Sequence, residues 1–360
     1  MITISLCMIV KNEEKCIGSC LASVEDLVDE IIIVDTGSTD KTKDIVKEYT
    51  NKIYDFLWID DFSAARNFSF SKASSEYIFW LDADDILKEE DRNKLKRLKE
   101  DFDSSYDVIS MRYNYAFNEA GYPTLTFRRN RIVKRSRGFK WCGFIHEYIA
   151  VEGKILDSDI NISHMRVHGN SDRNINIFRN KIKQGYKLNS RDTYYYGKEL
   201  YFNGMNDKAI EVLTKVPQMN GWYEEKIQAL ITLADIYLNK GFYEQCRKVC
   251  YETFEYDTPR AEAIYRIALS FQQEEKYIQA IRWYEVEVTL KKPNSDLGFI
   301  YEEYWSWLPH LQLCVCYFKI NDMQKAFEHN EAAYKYNPSN ESIIRNIEFF
   351  KSIGIIKNSN

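Results

Sequence analysis

Acidic side chains that close two apolar runs are the residues best placed to do chemistry. Asp35 follows directly on Ile31-Ile32-Ile33-Val34, within VDTGSTDKT. Asp82, Asp84 and Asp85 follow residues 77–81 (YIFWL), within WLDADD. Short, almost wholly apolar runs of this kind read as strands of a parallel sheet covered on both faces. In such a sheet ligands bind in the crevice beyond the carboxyl ends of the strands, so both acidic clusters are expected to point into one cleft. An Asp-x-Asp at that place suits Mg²⁺ or Mn²⁺, which take oxygen ligands and bind through one or two carboxylates together with phosphates. A cation held there would neutralise charge as a nucleotide diphosphate leaves. Taken alone, Asp-Ala-Asp is more often a turn or cap feature than a metal site.

The elements that must carry these groups alternate in period. Residues 2–10 (ITISLCMIV) form an apolar strand, followed by polar Lys11-Asn12-Glu13-Glu14 and a helical stretch through Leu27. A further helix starts near Thr39, with Asp40 in a Ser-Thr-Asp cap signature. Short apolar strands separated by amphipathic helices define an α/β domain, expected over residues 1–186.

From residue 187 to 360 the strand signal disappears and Tyr, Ala and Leu recur at helical spacing. Four segments, GMNDKAIEVL, GFYEQCRKVC, EKYIQAIRWY and NDMQKAFEHN, align on Ala209, Cys246, Ala280 and Ala326, at separations of 37, 34 and 46. The first two intervals are close to the period of about 34 residues that marks tetratricopeptide repeats. The third carries an insertion, placed in the stretch around residues 291–305. Pro217, Pro259, Pro293 and Pro338 follow where the second helix of each pair should end. One helix pair cannot bury its apolar face alone, so the pairs are expected to stack into a solenoid.

Bulk properties fit two domains. The chain has 360 residues and is 45% hydrophobic, enough for packed cores. Its formal net charge of −5 argues against a general nucleic-acid binder. The apolar runs are strand-sized, far short of the roughly 20 residues of a spanning helix, and no basic leader precedes the first strand. A soluble cytoplasmic protein without stable membrane insertion is expected. None of the eight cysteines forms a C-x-x-C pair, so reduced, buried thiols are expected and zinc has little support. Residues 128–140 hold seven basic side chains. Most read as a solvated hairpin face, with Arg128 and Arg129 best placed to meet an anion.

The segments SLCMIVKNEE, IIIVDTGSTDKT, FSAARNFSFSKASSEYIFWLDADD and WCGFIHEYI, over residues 1 to about 185, resemble in order and approximate spacing the family 2 glycosyltransferases with the GT-A nucleotide-sugar-binding fold. The resemblance implies that Ile9 and Glu13 lie near the nucleoside and that Asp35 accepts a hydrogen bond from its base, usually uracil. It implies that Arg66 lies against base or phosphates, that Asp82 reaches the ribose or the metal, and that Asp84 ligates the metal directly. Glu147, in FIHEYI, would be the general base that takes the acceptor's proton in an inverting displacement, with His146 orienting the diphosphate. A late histidine would complete the metal site: His164 in NISHMRV, slightly favoured, or His168 in VHGNS. Asp40 is better read as a cap.

The combination with a tetratricopeptide-like tail resembles peptide S-glycosyltransferases that modify cysteines of glycocin-type bacteriocins. It implies a UDP-sugar donor, a peptide or protein acceptor held by the repeats, and pairing of the repeats into a homodimer as one option. Cysteine is a chemically easy acceptor, being a few per cent thiolate at neutral pH. The competing readings are a transferase for cell-envelope glycans or lipid-linked sugars, a non-catalytic repeat scaffold, and a glycoside hydrolase with paired carboxylates.

Overall fold

Alternation of two apolar faces makes the N-terminal strands the centre of a sheet. In β1 (Ile4–Val10), Ile4, Leu6 and Met8 pack on one face with Leu21, Ile33 and Phe79. Cys7 packs on the other with Ile32, Ile78 and Trp80. Strands buried on both sides have no polar face to turn to water, which is why these runs lack polar alternation. The structure, a computed structural model, describes residues 1–118, 121–165, 172–292 and 298–355.

The chain forms two compact units. The first comprises Met1–Asn118, Tyr122–Ile177 and Ser295–Ile300; the second comprises Phe178–Asn294 and Tyr301–Asn360, with Glu119–Gly121. The division at Ile177 falls within a helix, Arg173–Lys183, upstream of the boundary at 186 expected from the change of period.

In the first unit β1 is joined by β2 (Glu30–Asp35), β3 (Ile53–Asp55), β4 (Tyr77–Trp80), β5 (Asp85–Ile86), β6 (Val108–Phe117) and β7 (Pro123–Lys134). A hairpin of β8 (Lys140–Cys142) and β9 (Tyr148–Ala150) precedes β10 (Ile155–His164). The main sheet runs β3-β2-β1-β4-β7-β6-β10-β5. β1 pairs parallel with β2 and β4, and β2 parallel with β3, as the apolar runs predict. β7 then pairs antiparallel with both β4 and β6, so the sheet is mixed. Four helices flank it: α1 (Ile17–Ala22), α2 (Thr42–Val46), α3 (Phe62–Phe70) and α4 (Glu89–Asp101). Register sets Val10 beside Asp35 and Cys7 beside both Ile32 and Trp80, so β1, β2 and β4 end at one edge. A buried carboxylate fixes the opposite end: Glu30 accepts from Ser5 Oγ, Lys52 Nζ, Ser74 Oγ and the Ser74 N–H.

The second unit is built of helix pairs. They are α5 (Ser190–Phe202) with α6 (Asn206–Leu213), α7 (Tyr223–Asn239) with α8 (Tyr243–Glu252), α9 (Ala261–Gln273) with α10 (Tyr277–Glu287), and α11 (Trp307–Lys319) with α12 (Met323–Tyr336). A last helix, α13, spans Glu341–Ser352. Ala209, Cys246, Ala280 and Ala326 each lie on the second helix of a pair and are fully buried, where a larger side chain would hold the helices apart. Each pair turns through one residue with positive φ: Gly204, Gly241, Glu275 and Asn321. That left-handed residue after a helix lets the chain reverse while the last carbonyls stay bonded. Pro217, Pro259 and Pro338 follow the second helices; Pro293 lies outside the described residues. Among the described residues no helix is long and apolar enough to cross a membrane. All eight cysteines are free thiols; seven are buried and Cys142 is half-buried.

Candidate active site

At the end of β2 the chain turns through Gly37, whose φ of 105° few side chains tolerate. The turn lets Asp35 Oδ1 accept from the Gly37 and Ser38 N–H groups, both at 2.9 Å. Lys43 Nζ stands 3.7 Å from the same oxygen. Asp35 Oδ2 is buried and has no donor in the structure, leaving a carboxylate oxygen ready to accept from an incoming N–H. The loop after β1 is tied to this turn: Asn12 Oδ1 accepts from the Thr39 N–H at 2.8 Å, and the Glu13 N–H donates to Thr42 Oγ1 at 2.7 Å. Asp40 accepts from the Thr42 and Glu14 N–H groups, so it braces the two loops. Ile9 lies on β1 opposite Val34, one residue short of this edge.

Arg66 is the hub of the next cluster. Asp61 caps α3 by accepting from the Ala64 N–H at 2.9 Å, and the helix brings Arg66 against the sheet. Its guanidinium lies against the rings of both Trp80 and Trp141, 5.0 and 4.7 Å from their centroids. Its Nε donates to Glu147 Oε1 and one Nη to Asp82 Oδ1, each at 2.6 Å. The two carboxylates that the sequence separates by 65 positions thus share one cation. Burial would push the Asp82 carboxyl up, but the guanidiniums of Arg66, Arg131 and Arg129 outweigh it and hold Asp82 well below the usual range. His146, next to Glu147, adopts a positive φ of 50°.

Asp84 lies with His164 in a third cluster. β5 pairs antiparallel with the end of β10, setting His164 beside Asp85, and the Met165 N–H donates to the Asp84 carbonyl at 2.7 Å. His164 Nδ1 is 3.4 Å from Asp84 Oδ1 and 3.8 Å from Asp85 Oδ1. The imidazole stacks on Tyr115, with centroids 4.9 Å apart and planes at 3°. Burial alone would lower its pKa, but the close carboxylates of Asp84 and Asp85 prevail and push it up to about 9. Among the described residues this trio is the group of His, Cys, Asp or Glu whose ligand atoms, all within 4.8 Å, could hold a metal. Its donor set, two carboxylates and an imidazole, fits Mn²⁺ or Mg²⁺, and the buried His164 Nδ1 lacks a well-formed hydrogen bond. His168, the other histidine candidate, lies outside the described residues.

Asp85, expected only as one of the acidic cluster, and Arg131, expected only as one of the basic stretch, form a pair that the sequence did not indicate. Neither is exposed to solvent. Arg131 donates to Asp85 Oδ2 at 2.8 Å and to the Trp80 carbonyl at 3.3 Å, and lies between the rings of Trp80 and Tyr113. Asp85 also accepts from the Tyr113 hydroxyl at 2.8 Å and the Asp82 N–H at 3.0 Å. The one available signal was an arginine embedded in the apolar run Arg131-Ile132-Val133, two residues from Arg129 on the same strand face. Elsewhere in the basic stretch, Arg128 Nη1 donates to the Ser158 carbonyl at 2.9 Å and Arg135 Nε to the Ser75 carbonyl at 2.6 Å.

The mixed sheet thus carries, at or near its strand ends, an aspartate with one unpartnered oxygen, an Arg-bridged carboxylate pair and an Asp–His cluster. Residues 5–158, within the first unit, match the model of glycosyl transferase family 2. The helical repeats that follow are tetratricopeptide-like. Among similar proteins, a TPR repeat-containing protein of Synechococcus elongatus is 49% identical over 87 residues, covering 24% of this chain and 22% of its own. The SPbeta prophage-derived glycosyltransferase SunS of Bacillus subtilis is 29% identical over 259 residues, 67% of this chain and 60% of SunS. The lipopolysaccharide core biosynthesis glycosyltransferase LpsC of Rhizobium meliloti is 29% identical over 159 residues, 42% of this chain and 58% of LpsC. The chain therefore spans 22% and 60% of the first two relatives' lengths. Among solved structures, MamA of Desulfovibrio magneticus aligns at 18% identity over 46% of this chain and 85% of its own, with a TM-score of 0.37. YrrB, a TPR protein, aligns at 10% identity over 49% and 83%, also at 0.37. The helix pairs themselves define the repeats.

Proposed function

We propose that the protein transfers a sugar from a nucleotide diphosphate sugar, UDP-linked, to a peptide side chain such as cysteine. The observation that carries this reading is the convergence of Asp84 and His164, 80 positions apart, to 3.4 Å in the unit that carries the family 2 match. In this reading the free Oδ2 of Asp35 accepts from an N–H of the base, and Ile9 and Glu13 flank the nucleoside. Asp84 and His164, with Asp85 behind them, would hold Mn²⁺ or Mg²⁺. Bound there, the cation would supply positive charge to the departing diphosphate. Arg66 positions Asp82 and Glu147 on either side of one guanidinium. Glu147 then takes the acceptor's proton during an inverting displacement, and a thiol acceptor would depend on it less than a hydroxyl.

Support for a peptide acceptor comes from the tetratricopeptide-like helix pairs of the second unit. The similarity to LpsC favours a glycan acceptor as the second reading. Mass spectrometry after incubation with a panel of sugar nucleotides, Mn²⁺, and either a cysteine-rich peptide or a lipopolysaccharide core acceptor separates the two. Sugar added to the peptide by the wild type but not by Asp84→Ala is the expected result. Undiminished transfer by Asp84→Ala, or no binding of any sugar nucleotide with Mn²⁺ present, overturns the proposal.

A further inference from the structure

The repeats bury five acidic side chains: Asp192, Glu224, Glu225, Glu262 and Glu287. Three of them leave no buried oxygen unpartnered. Glu224 pairs with Arg260 at 2.8 Å, Glu225 with Arg191, and Asp192 accepts from the Asn189 N–H at 3.3 Å and the Tyr186 hydroxyl at 3.2 Å. Glu262 is half satisfied: Oε1 accepts from the Trp305 indole N–H at 3.0 Å, while Oε2 has no partner in the structure. Glu287, the last residue of α10, is only 3% exposed, yet neither of its carboxylate oxygens has a hydrogen-bond partner in the structure. The nearby cation is committed elsewhere: Arg266 donates through Nε and Nη2 to Asp235 and through Nη1 to the Glu262 carbonyl. A leucine would fill an inter-helix position without stranding two acceptors, so an unpaired acid there calls for a ligand.

Glu287 is also one wall of a cavity of about 40 Å³. Tyr304, Trp305, His310 and Tyr336 form other walls. That is more than the roughly 10–15 Å³ a single water needs. His310 adds no positive charge: burial, then the proximity of His329, pushes its pKa down to about 4, and the two rings meet Nδ1 to Nδ1 at 3.0 Å. A divalent metal would need more oxygen ligands than one carboxylate. A cation carrying N–H donors matches both features, because it bonds to carboxylate oxygens and is attracted to aromatic faces.

We infer that this cavity receives a primary ammonium group, as borne by a lysine side chain or a free peptide N-terminus, with Glu287 as its counter-ion and Tyr304, Trp305 and Tyr336 as its aromatic walls. The inference goes beyond glycosyl transfer and does not depend on it. Burial, and then the like charge of Glu262, hold the empty Glu287 well above the usual carboxylate range, and a bound ammonium would restore its charge.

The test titrates the full chain, without donor or metal, with Nα-acetyl-lysine methylamide, with glycine methylamide and with Nα-acetyl-alanine methylamide. Saturable binding of one or both amines, on the order of 1 mM, and none of the neutral alanine probe, is expected. The lysine and glycine arms distinguish a side-chain ammonium from an N-terminal one. Glu287→Gln preserves the shape and should weaken binding at least tenfold; Tyr336→Ala, at a largely exposed wall, should weaken it about threefold. Equal affinity in Glu287→Gln, or no saturation by either amine, overturns the inference and leaves a cavity filled by water.

Discussion

Arg131 and Asp85 form a salt bridge of 2.8 Å in which neither side chain touches solvent. The pair lies directly behind the Asp-x-Asp loop, because Asp85 also accepts from the Asp82 N–H and lies 3.8 Å from His164. It therefore sets the place of Asp82, Asp84 and His164 at once. Removing one partner strands a buried charge. Arg131→Leu is expected to cost about 3–5 kcal/mol in urea unfolding, with weaker Mn²⁺ binding by calorimetry. A loss below about 1 kcal/mol would mean that the pair does not hold the loop.

Arg66 bridges Asp82 and Glu147 with two different nitrogens, a reach that one ammonium cannot reproduce. Arg66→Lys should keep the fold, at a stability loss of about 1–3 kcal/mol. Sugar transfer should fall about 100-fold, since misplacing the groups by about 1 Å has that effect. A lysine variant with wild-type kcat would remove Arg66 from any positioning role.

The Glu30 cluster predicts a pH signature of stability. Burial opposes its charge, but hydrogen bonds from Lys52, Ser5 and Ser74 prevail and bring its pKa from 4.5 down to about 2. A depressed carboxylate stabilises the fold above its unfolded pKa and loses that contribution as pH falls through its folded pKa. The difference between wild type and Glu30→Gln should be about 2 kcal/mol at pH 7 and should shrink between about pH 4.5 and 2. Chemical denaturation across that range measures it. A constant difference would place the effect in packing rather than charge.

In the turn between α9 and α10, Glu275 has a φ of 58° that glycine would adopt without strain. Glu275→Gly should stabilise the second unit by about 0.5–1 kcal/mol, read as a higher melting temperature. Gly241→Ala, at the corresponding turn with a φ of 75°, should lower it by a similar amount.

Much of the architecture was legible because the hydrophobic pattern carries it. Uninterrupted apolar runs marked β1, β2 and β4, and the helical spacing of small residues marked the second helix of each pair. The antiparallel β6 and β7 were less visible, because β7 carries its arginines on a half-buried face and so resembles a solvated hairpin. The same disguise concealed Arg131: in a stretch of seven basic residues nothing in composition separates the buried one from its neighbours. Asp35, Asp82 and Asp84 could be placed at strand ends, since the strand itself positions them. The bridge from Arg66 to Glu147 could not, because it joins residues 81 positions apart through a pairing that only the folded sheet and the β8–β9 hairpin create.

Seven of the eight thiols are shielded by the surrounding side chains, and only Cys142, on the β8–β9 hairpin, is partly open. For an enzyme that handled thiol acceptors, this arrangement limits self-labelling to a single position. Any adduct carried by the purified protein should map to Cys142.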